Sequence, residues 1–203
     1  MKIGIDLDDT TFITVKSMLK YADKFELERT GKVNKDSFGM IRDRYYLKAL
    51  YKWDDEIKYA FFRKYYKNVL EECVLMPCAD VAIKSLKDEG DTICFVTARL
   101  MDVEGCDTER ITKESLSKYN VPYDGLHLHI NDKVTFFRDN NIELCIEDSY
   151  DTCRKLTDIG IKSILITTKM NEKIDSKEIV RVSTWKEVYD EVEKYKKSLM
   201  TIW

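Results

Sequence analysis

From Met76 onward, short apolar runs alternate regularly with helical patterns. Examples of the apolar runs are TICFVT and ELCIE, and each is followed by a segment of about ten residues whose apolar positions recur at helical spacing. Strands that alternate with helices favour a parallel sheet with helices on both faces, which is a Rossmann-like α/β fold. The pattern predicts strands at residues 2–6, 92–97, 126–130, 143–147 and 162–167, and helices at residues 79–88, 108–119, 133–140, 150–159 and 184–197.

A different pattern interrupts this core between residues 12 and 75. The stretch holds more than half of the aromatic residues, its apolar positions recur at helical spacing, and Gly31 and Gly39 punctuate it. We predict an all-helical insert of three or four helices directly after the first strand. The expected domains are therefore an α/β core of residues 1–11 and 76–203 and a helical cap of residues 12–75.

Composition and charge exclude several classes of protein. The 203 residues carry a formal net charge of −3 without a long basic run, so the chain lacks the electrostatic footprint of a protein that binds nucleic acid polymers. No apolar run approaches the ~20 residues of a membrane span, and the segment before Asp6 is too short for a signal peptide. The six cysteines form no C-x-x-C pair, which disfavours zinc and predicts reduced thiols in a cytoplasmic protein.

Polar groups follow four of the predicted strands at the point where each strand ends. In an open parallel sheet these ends share one edge, where ligands bind, so the groups are expected to converge. The four sets are Asp6-Leu7-Asp8-Asp9-Thr10, Thr97-Ala98-Arg99, Asn131-Asp132-Lys133 and Glu147-Asp148-Ser149.

A cluster of four carboxylates at one edge requires a cation, and all-oxygen ligands suit Mg²⁺. Lys133 would add a fixed positive charge, and the Thr97 hydroxyl would donate to phosphoryl oxygens. Asp6 and Asp8 form a workable catalytic pair, because one carboxylate can attack phosphorus while the other protonates the leaving oxygen and then activates water.

Taken in order, the segment DLDDT, the T-A-R segment, Lys133 and the E-D-S segment resemble the motifs of the haloacid dehalogenase superfamily. The position of the helical insert resembles the type 1 cap of that superfamily. The forms of the motifs are similar to those of its 5′-nucleotidase branch, which includes 5′(3′)-deoxyribonucleotidases and bacterial nucleotidase-like proteins.

The resemblance implies a role for each motif residue. Asp6 would be the nucleophile that forms an aspartyl-phosphate and a ligand of Mg²⁺, and Asp8 would be the general acid and base with its main-chain carbonyl on the metal. Asp148 would bind the metal directly, with Glu147 acting through a water. Thr97 and Lys133 would bind phosphate and Thr10 would brace the loop. The full group expected at the phosphate comprises Asp9 (through its amide), Thr10, Thr97, Ala98, Arg99 and Lys133.

The sequence leaves the roles of several residues open. Arg99 could contact phosphate or substrate, or could pair with a surface acid, and Asp151 is a candidate for a further supporting acid. His127 and His129 alternate like a metal pair but lack a third nitrogen or sulfur ligand, which favours packing or surface roles. Most cap aromatics are expected in a small core, while candidates to line the cap face are Arg42, Arg44, Tyr45 and Tyr46.

The function expected from this combination is a Mg²⁺-dependent phosphomonoester hydrolase, with a nucleoside 5′-monophosphate as the expected substrate. One alternative keeps the chemistry but uses sugar phosphates or other small phosphomonoesters, because cap side chains choose the leaving group. An alternative of another class is a binding or regulatory protein that retains the fold without turnover. The intact Asp6 and Asp8 pair argues against it, because a binder needs no acid and base.

Overall fold

The computed structural model describes residues 1–36 and 46–201, and within these ranges it contains eight strands and eight helices. The strands are β1 (Lys2–Ile5), β2 (Phe12–Ile13), β3 (Val74–Leu75), β4 (Thr92–Val96), β5 (Gly125–His127), β6 (Leu144–Glu147), β7 (Lys162–Ile166) and β8 (Val180–Val182). The helices are α1 (Thr14–Thr30), α2 (Tyr46–Tyr51), α3 (Asp55–Glu71), α4 (Ala79–Asp88), α5 (Thr108–Lys118), α6 (Lys133–Asp139), α7 (Tyr150–Asp158) and α8 (Trp185–Met200).

Six of the strands form one parallel sheet in the order β5-β4-β1-β6-β7-β8. The predicted α/β core, with a parallel sheet and a helical insert after the first strand, is confirmed. The order reverses at β1, which lies between β4 and β6, so the carboxyl end of β1 is the position where a ligand is expected. None of the helices in the described ranges is both long and apolar enough to span a bilayer.

Each face of the sheet is covered by helices because successive side chains of a strand point to opposite faces. Ile3 and Ile5 of β1 lie in the larger core cluster, together with side chains of α4 and α8. On the opposite face, Phe137 of α6 and Leu156 of α7 pack against the cysteines of β4 and β6. Both faces are therefore dry, which accounts for the nearly continuous apolar runs of these strands.

Gly4 allows α6 to approach β1 closely. A Cβ atom at this position would lie 2.4 Å from Cζ and 2.6 Å from Cε1 of Phe137, closer than carbon atoms pack. The absence of a side chain on β1 thus sets the distance between the central strand and the helix that begins at Lys133.

The insert is joined to the core by the short antiparallel pair of β2 and β3, which lie at the predicted ends of the cap. Its three described helices surround an aromatic cluster, in which Phe25 contacts the rings of Trp53, Phe61 and Tyr65. The expectation that most cap aromatics form a core agrees with this packing. The helix α3 also packs on α5, so the cap rests on the core beside the loop that follows β4.

The structure corrects several predicted boundaries. The strand predicted at 126–130 is the shorter β5, because His129 has a positive φ of 59° that an extended strand cannot accommodate. The short strands β2, β3 and β8 were not predicted, since two or three residues give too little periodicity to detect.

Candidate active site

Asp6 lies one residue beyond β1 at the carboxyl edge of the sheet, and the main chain holds it on both sides. Its amide donates to the carbonyl of Ile146 at 3.0 Å, and its carbonyl accepts from Oγ1 of Thr11 at 2.7 Å. The residue is only 7% exposed. The neighbouring strand and the following loop therefore fix the carboxylate at the centre of the edge.

Lys133, the first residue of α6, joins two carboxylates from different strands. Its Nζ lies 2.5 Å from Oδ1 of Asp6 and 2.5 Å from Oε2 of Glu147. Burial acts to lower the pKa of Lys133, but the charges of Asp6 and Glu147 outweigh it and raise the pKa above its ordinary value. The lysine is therefore a permanent cation, as a phosphate-binding role requires.

Asp6, Glu147 and Asp148 form the acidic cluster of this edge. Each offers one carboxylate oxygen within 4.8 Å of the others, and among the described residues this is the one group of three or more acids, histidines or cysteines with such spacing. Burial and then the Glu147 carboxylate raise the pKa of Asp6 to about 8, and burial with the Glu147 and Asp6 carboxylates raises that of Asp148 well above its ordinary value. The three carboxylates therefore carry more negative charge, when ionised, than Lys133 can neutralise.

The two oxygens of Glu147 are both engaged within the protein. Oε2 accepts from Lys133, and Oε1 accepts from the amides of Asp148 and Ser149 at 3.2 Å each. Glu147 thus holds the lysine and the loop that carries Asp148. The expected role of Glu147, contact with the metal through a water, remains a prediction.

Asp8 pairs with Arg99, which lies 91 residues further along the chain. Nε of Arg99 donates to both carboxylate oxygens at 3.1 Å, and Nη2 donates to Oδ1 at 2.8 Å. Burial acts to raise the pKa of Asp8, but Arg99, with a further hydrogen bond from Thr14, outweighs it and lowers the pKa. Of the two interpretations left open for Arg99, the structure shows an ion pair, and its acid is Asp8 rather than a surface residue.

The structure gives Asp9 and Thr10 different contacts from those predicted. The amide of Asp9, expected at the phosphate, donates to the carbonyl of Phe12 at 2.7 Å, while the Asp9 carboxylate accepts from the first amides of α1. Thr10 is fully buried, and its hydroxyl has no hydrogen-bond partner within the described residues. The loop is braced instead by the hydroxyl of Thr11. The Asp9 amide is already bonded to Phe12, whereas a phosphate contact of Thr10 remains a prediction.

Thr97 and Ala98 follow β4 at the same edge. Two hydrogen bonds to the neighbouring segment 127–130 fix the main chain of Thr97: its amide donates to the carbonyl of His127 at 3.0 Å, and its carbonyl accepts from the amide of Ile130 at 2.9 Å. Its hydroxyl oxygen accepts from the amide of Arg99 at 3.4 Å, which leaves the hydroxyl proton for another acceptor. Ala98 is exposed. A phosphate-binding role for Thr97 and Ala98 remains a prediction.

Other candidates lie outside the cluster or outside the described residues. Asp151 is exposed in the first turn of α7. The ring of His127 packs against Phe136 with centroids 4.8 Å apart, as a packing role predicts.

Among the cap candidates, Tyr46 is the first residue of α2 and is half-buried. Burial, followed by the charges of Asp9 and Asp8, raises the pKa of Tyr46 well above its ordinary value, so its phenol is near these acids. The remaining cap candidates Arg42, Arg44 and Tyr45 lie outside the described residues.

Three supporting residues were not identified from the sequence. Besides Thr11, Thr14 donates to Oδ1 of Asp8 at 2.6 Å. Buried Asn171 donates from Nδ2 to the carbonyls of Asp148 at 2.8 Å and Ile166 at 2.7 Å, and so anchors the acidic loop. The threonines lie close to DLDDT and could have been noticed, whereas nothing in the segment around Asn171 signals its long-range contact.

Comparison with known proteins supplies the family. No family model matches the chain. A nucleotidase from Clostridium acetobutylicum is 33% identical over 152 residues, which cover 74% of this chain and 76% of that protein. The solved structure of a predicted phosphatase from the same organism superimposes with a TM-score of 0.70 at 15% identity, covering 95% of this chain and 98% of that one. A HAD-superfamily hydrolase of subfamily IA from Geobacter sulfurreducens matches with a TM-score of 0.60 at 12% identity, over 93% and 97% of the two chains.

The solved structures share the fold, and the curated relative shares enough sequence to show common descent. With the acid cluster at the switch point of the sheet, they define a hydrolase of the phosphatase class. The chain belongs to the haloacid dehalogenase superfamily, as the order of its motifs predicted.

Proposed function

We propose that this protein is a Mg²⁺-dependent phosphomonoester hydrolase that acts through an aspartyl-phosphate on Asp6, with nucleoside 5′-monophosphates as its substrates. The observation that carries the proposal is the convergence of Asp6, Lys133 and Asp148, which come from three distant parts of the chain, at the carboxyl end of the central strand. The 33% identity to a nucleotidase supports the choice of a nucleotide.

The residues of the acidic cluster fit a magnesium ion. Their donor atoms are carboxylate oxygens, which a hard cation prefers. When all three acids are ionised, Lys133 neutralises one charge and leaves two, which matches a divalent cation. Asp6 and Asp148 would hold the ion together with the main-chain carbonyl of Asp8, and Glu147 would support them. The ion would neutralise the charge of the phosphate and so allow a carboxylate to approach it.

The side chains of the protein itself would perform the bond changes. An oxygen of Asp6 attacks phosphorus in line with the leaving oxygen, while Lys133 balances the negative charge of the phosphoryl group. Asp8 passes to the leaving oxygen the proton that a monoanionic phosphoester brings into the site, so that an alcohol leaves, and afterwards takes a proton from the water that hydrolyses the aspartyl-phosphate. Thr97 would donate its hydroxyl proton to a phosphoryl oxygen.

The helical insert would act as the cap that selects the leaving group. We propose that residues 12–75 form one unit that moves about the paired strands β2 and β3 and shields the reaction from bulk water. Tyr46 is the described cap residue that we assign to the leaving group, because its phenol lies near the catalytic acids.

The proposal is tested with a panel of phosphomonoesters, read by release of inorganic phosphate with Mg²⁺ and with a chelator. The panel contains nucleoside 5′- and 3′-monophosphates, sugar phosphates and p-nitrophenyl phosphate. We expect nucleoside 5′-monophosphates to give the largest kcat/KM and the chelator to abolish turnover. Preference for sugar phosphates would reject the nucleotide assignment, and ligand-induced thermal stabilisation without any cleavage would favour the non-catalytic alternative.

Two matched substitutions test the nucleophile. Asp6→Asn removes the attacking carboxylate and should abolish turnover with the fold intact by circular dichroism. Asp151→Asn makes the same chemical change at an exposed acid near the cluster and should leave turnover unchanged. Mg²⁺-dependent phosphate release by Asp6→Asn at the wild-type rate would reject the covalent mechanism.

A further inference from the structure

Arg99 is a buried cation whose contacts are directed at Asp8. The residue is 3% exposed, and three hydrogen bonds of 2.8 to 3.1 Å join its guanidinium to the Asp8 carboxylate. A guanidinium in this environment is too deeply enclosed to act as a surface ion pair. Because its partner Asp8 belongs to the DLDDT segment, Arg99 is linked to the proposed reaction.

The remaining contacts of the guanidinium fix its orientation. Nη1 donates to Oγ1 of Thr112 on α5 at 2.9 Å, and Thr112 in turn donates to the carbonyl of Thr108 at 2.7 Å. The Cζ atom of Arg99 lies 5.6 Å from the ring centroid of Phe12 on β2. The arginine is therefore held between a core helix and a strand that joins core to cap.

The two oxygens of Asp8 are held unequally. Oδ1 accepts from Nε and Nη2 of Arg99 and from Oγ1 of Thr14 at 2.6 Å, whereas Oδ2 accepts from Nε alone among the described hydrogen bonds. A carboxylate oxygen accepts about two hydrogen bonds. Oδ1 is thus saturated, and Oδ2 retains capacity.

We propose that Arg99 is a positioning residue which, together with Thr14, clamps Oδ1 of Asp8 so that Oδ2 is the atom that exchanges protons. This inference rests on the proposed function. In the first step Oδ2, which is ionised beside Arg99, passes the proton that a monoanionic phosphoester brings into the site to the ester oxygen, as the bond from Asp6 to phosphorus forms and the ester bond breaks. In the second step Oδ2 takes a proton from water, whose oxygen bonds to phosphorus as the bond from Asp6 breaks.

Comparison of two leaving groups distinguishes a positioning role of Arg99 from a structural role. A nucleoside 5′-phosphate releases an alkoxide that needs a proton, whereas p-nitrophenyl phosphate releases a phenolate that is stable without one. A general acid contributes about 10²–10⁴-fold to the rate of a step that needs it. Misplacement of Oδ2 should therefore lower kcat/KM, which reports the first chemical step, selectively for the nucleotide.

The test compares wild type, Asp8→Asn and Arg99→Lys with both substrates. Arg99→Lys keeps the charge but loses the forked contact, and we expect its kcat/KM for the nucleotide to fall at least about 10-fold more than that for the aryl ester. Thr112→Val removes the acceptor of Nη1 and a hydrogen bond within α5, and it should show the same selectivity to a smaller degree. This variant tests the proposal if Arg99→Lys does not fold. Ile111→Val, on the same helix and buried, controls for lost packing and should show no selectivity.

The two proposals fail in different ways. If wild type cleaves both substrates and Asp8→Asn is selective, but the Arg99→Lys and Thr112→Val variants lose activity equally on both, the positioning role is overturned and the proposed function stands. If wild type cleaves neither substrate with Mg²⁺, the proposed function itself fails and the inference falls with it.

Discussion

Replacement of Gly4 by alanine should damage the active site from inside the core. The new Cβ would lie 2.4 Å from Cζ of Phe137, against about 3.5–4.0 Å for carbon atoms in contact. Phe137 is 1% exposed and cannot turn away, so β1 and α6 must separate by roughly 1 Å. Overpacking of this kind costs about 1–3 kcal/mol of the free energy of unfolding.

The same displacement reaches the catalytic lysine. Phe137 lies four residues after Lys133 on α6, so the two side chains share a face of the helix. A shift of about 1 Å would break the 2.5 Å contact from Nζ of Lys133 to Asp6, and a misplacement of this size can lower turnover by as much as about 10²-fold. Gly4→Ala should therefore lose activity beyond what its lost stability explains.

Thermal and denaturant unfolding, together with steady-state kinetics, measure both effects on one set of variants. We expect Gly4→Ala to lower Tm by about 2–12 °C and kcat by about 10- to 100-fold. In the Gly4→Ala background, Phe137→Leu removes the ring atoms that the new Cβ meets, and should recover most of kcat. Ile3→Val acts on the opposite face of β1, where it should cost about 0.5–1.5 kcal/mol with kcat unchanged.

Two results would refute this reasoning. One is a Gly4→Ala protein with wild-type stability and turnover, which would mean that β1 and α6 are not as close together as the Gly4 and Phe137 contact requires. The other is a loss of kcat that Phe137→Leu fails to restore, which would separate the activity loss from the position of α6.

Three further predictions concern the acids and a helix cap. Asp148→Asn should raise the Mg²⁺ concentration for half-maximal turnover by about 10-fold or more, measured by metal titration, and an unchanged value would exclude Asp148 as a ligand. Burial raises the pKa of Asp9 to about 6, so the metal-free folded state keeps a proton that the unfolded state loses near pH 4. As the pH rises from 4 to 6, this residue should therefore lower the free energy of unfolding by at most about 3 kcal/mol. Asp9→Asn, which retains the Oδ1 atom that accepts both helix amides, should remove that fall, and equal pH profiles of wild type and variant in denaturant titrations would contradict it. Thr184→Ala removes the capping box of α8 and should lower the free energy of unfolding by about 1 kcal/mol with kcat unchanged. An unchanged Tm would show that the capping box does not stabilise the protein.

The sequence determined the architecture because hydrophobic periodicity is a local signal. The helix predicted at residues 79–88 has those bounds in the structure, and the strands of the core differ mainly at their ends. The order of the acidic and basic motifs placed Asp6, Lys133, Glu147 and Asp148 at one edge, since parallel strands share their carboxyl ends. Each of these inferences needs only neighbouring residues and a rule for how strands assemble.

Tertiary structure decided which partner each polar group takes. Thr10 and Thr11 are adjacent threonines, yet only the packing of the loop shows that Thr11 braces Asp6. The pairing of Arg99 with Asp8 joins residues 91 positions apart, and no local pattern encodes it. The chain specifies its elements through short-range periodicity, whereas contacts between distant side chains depend on how α5, β2 and the sheet pack together, which a linear pattern does not contain.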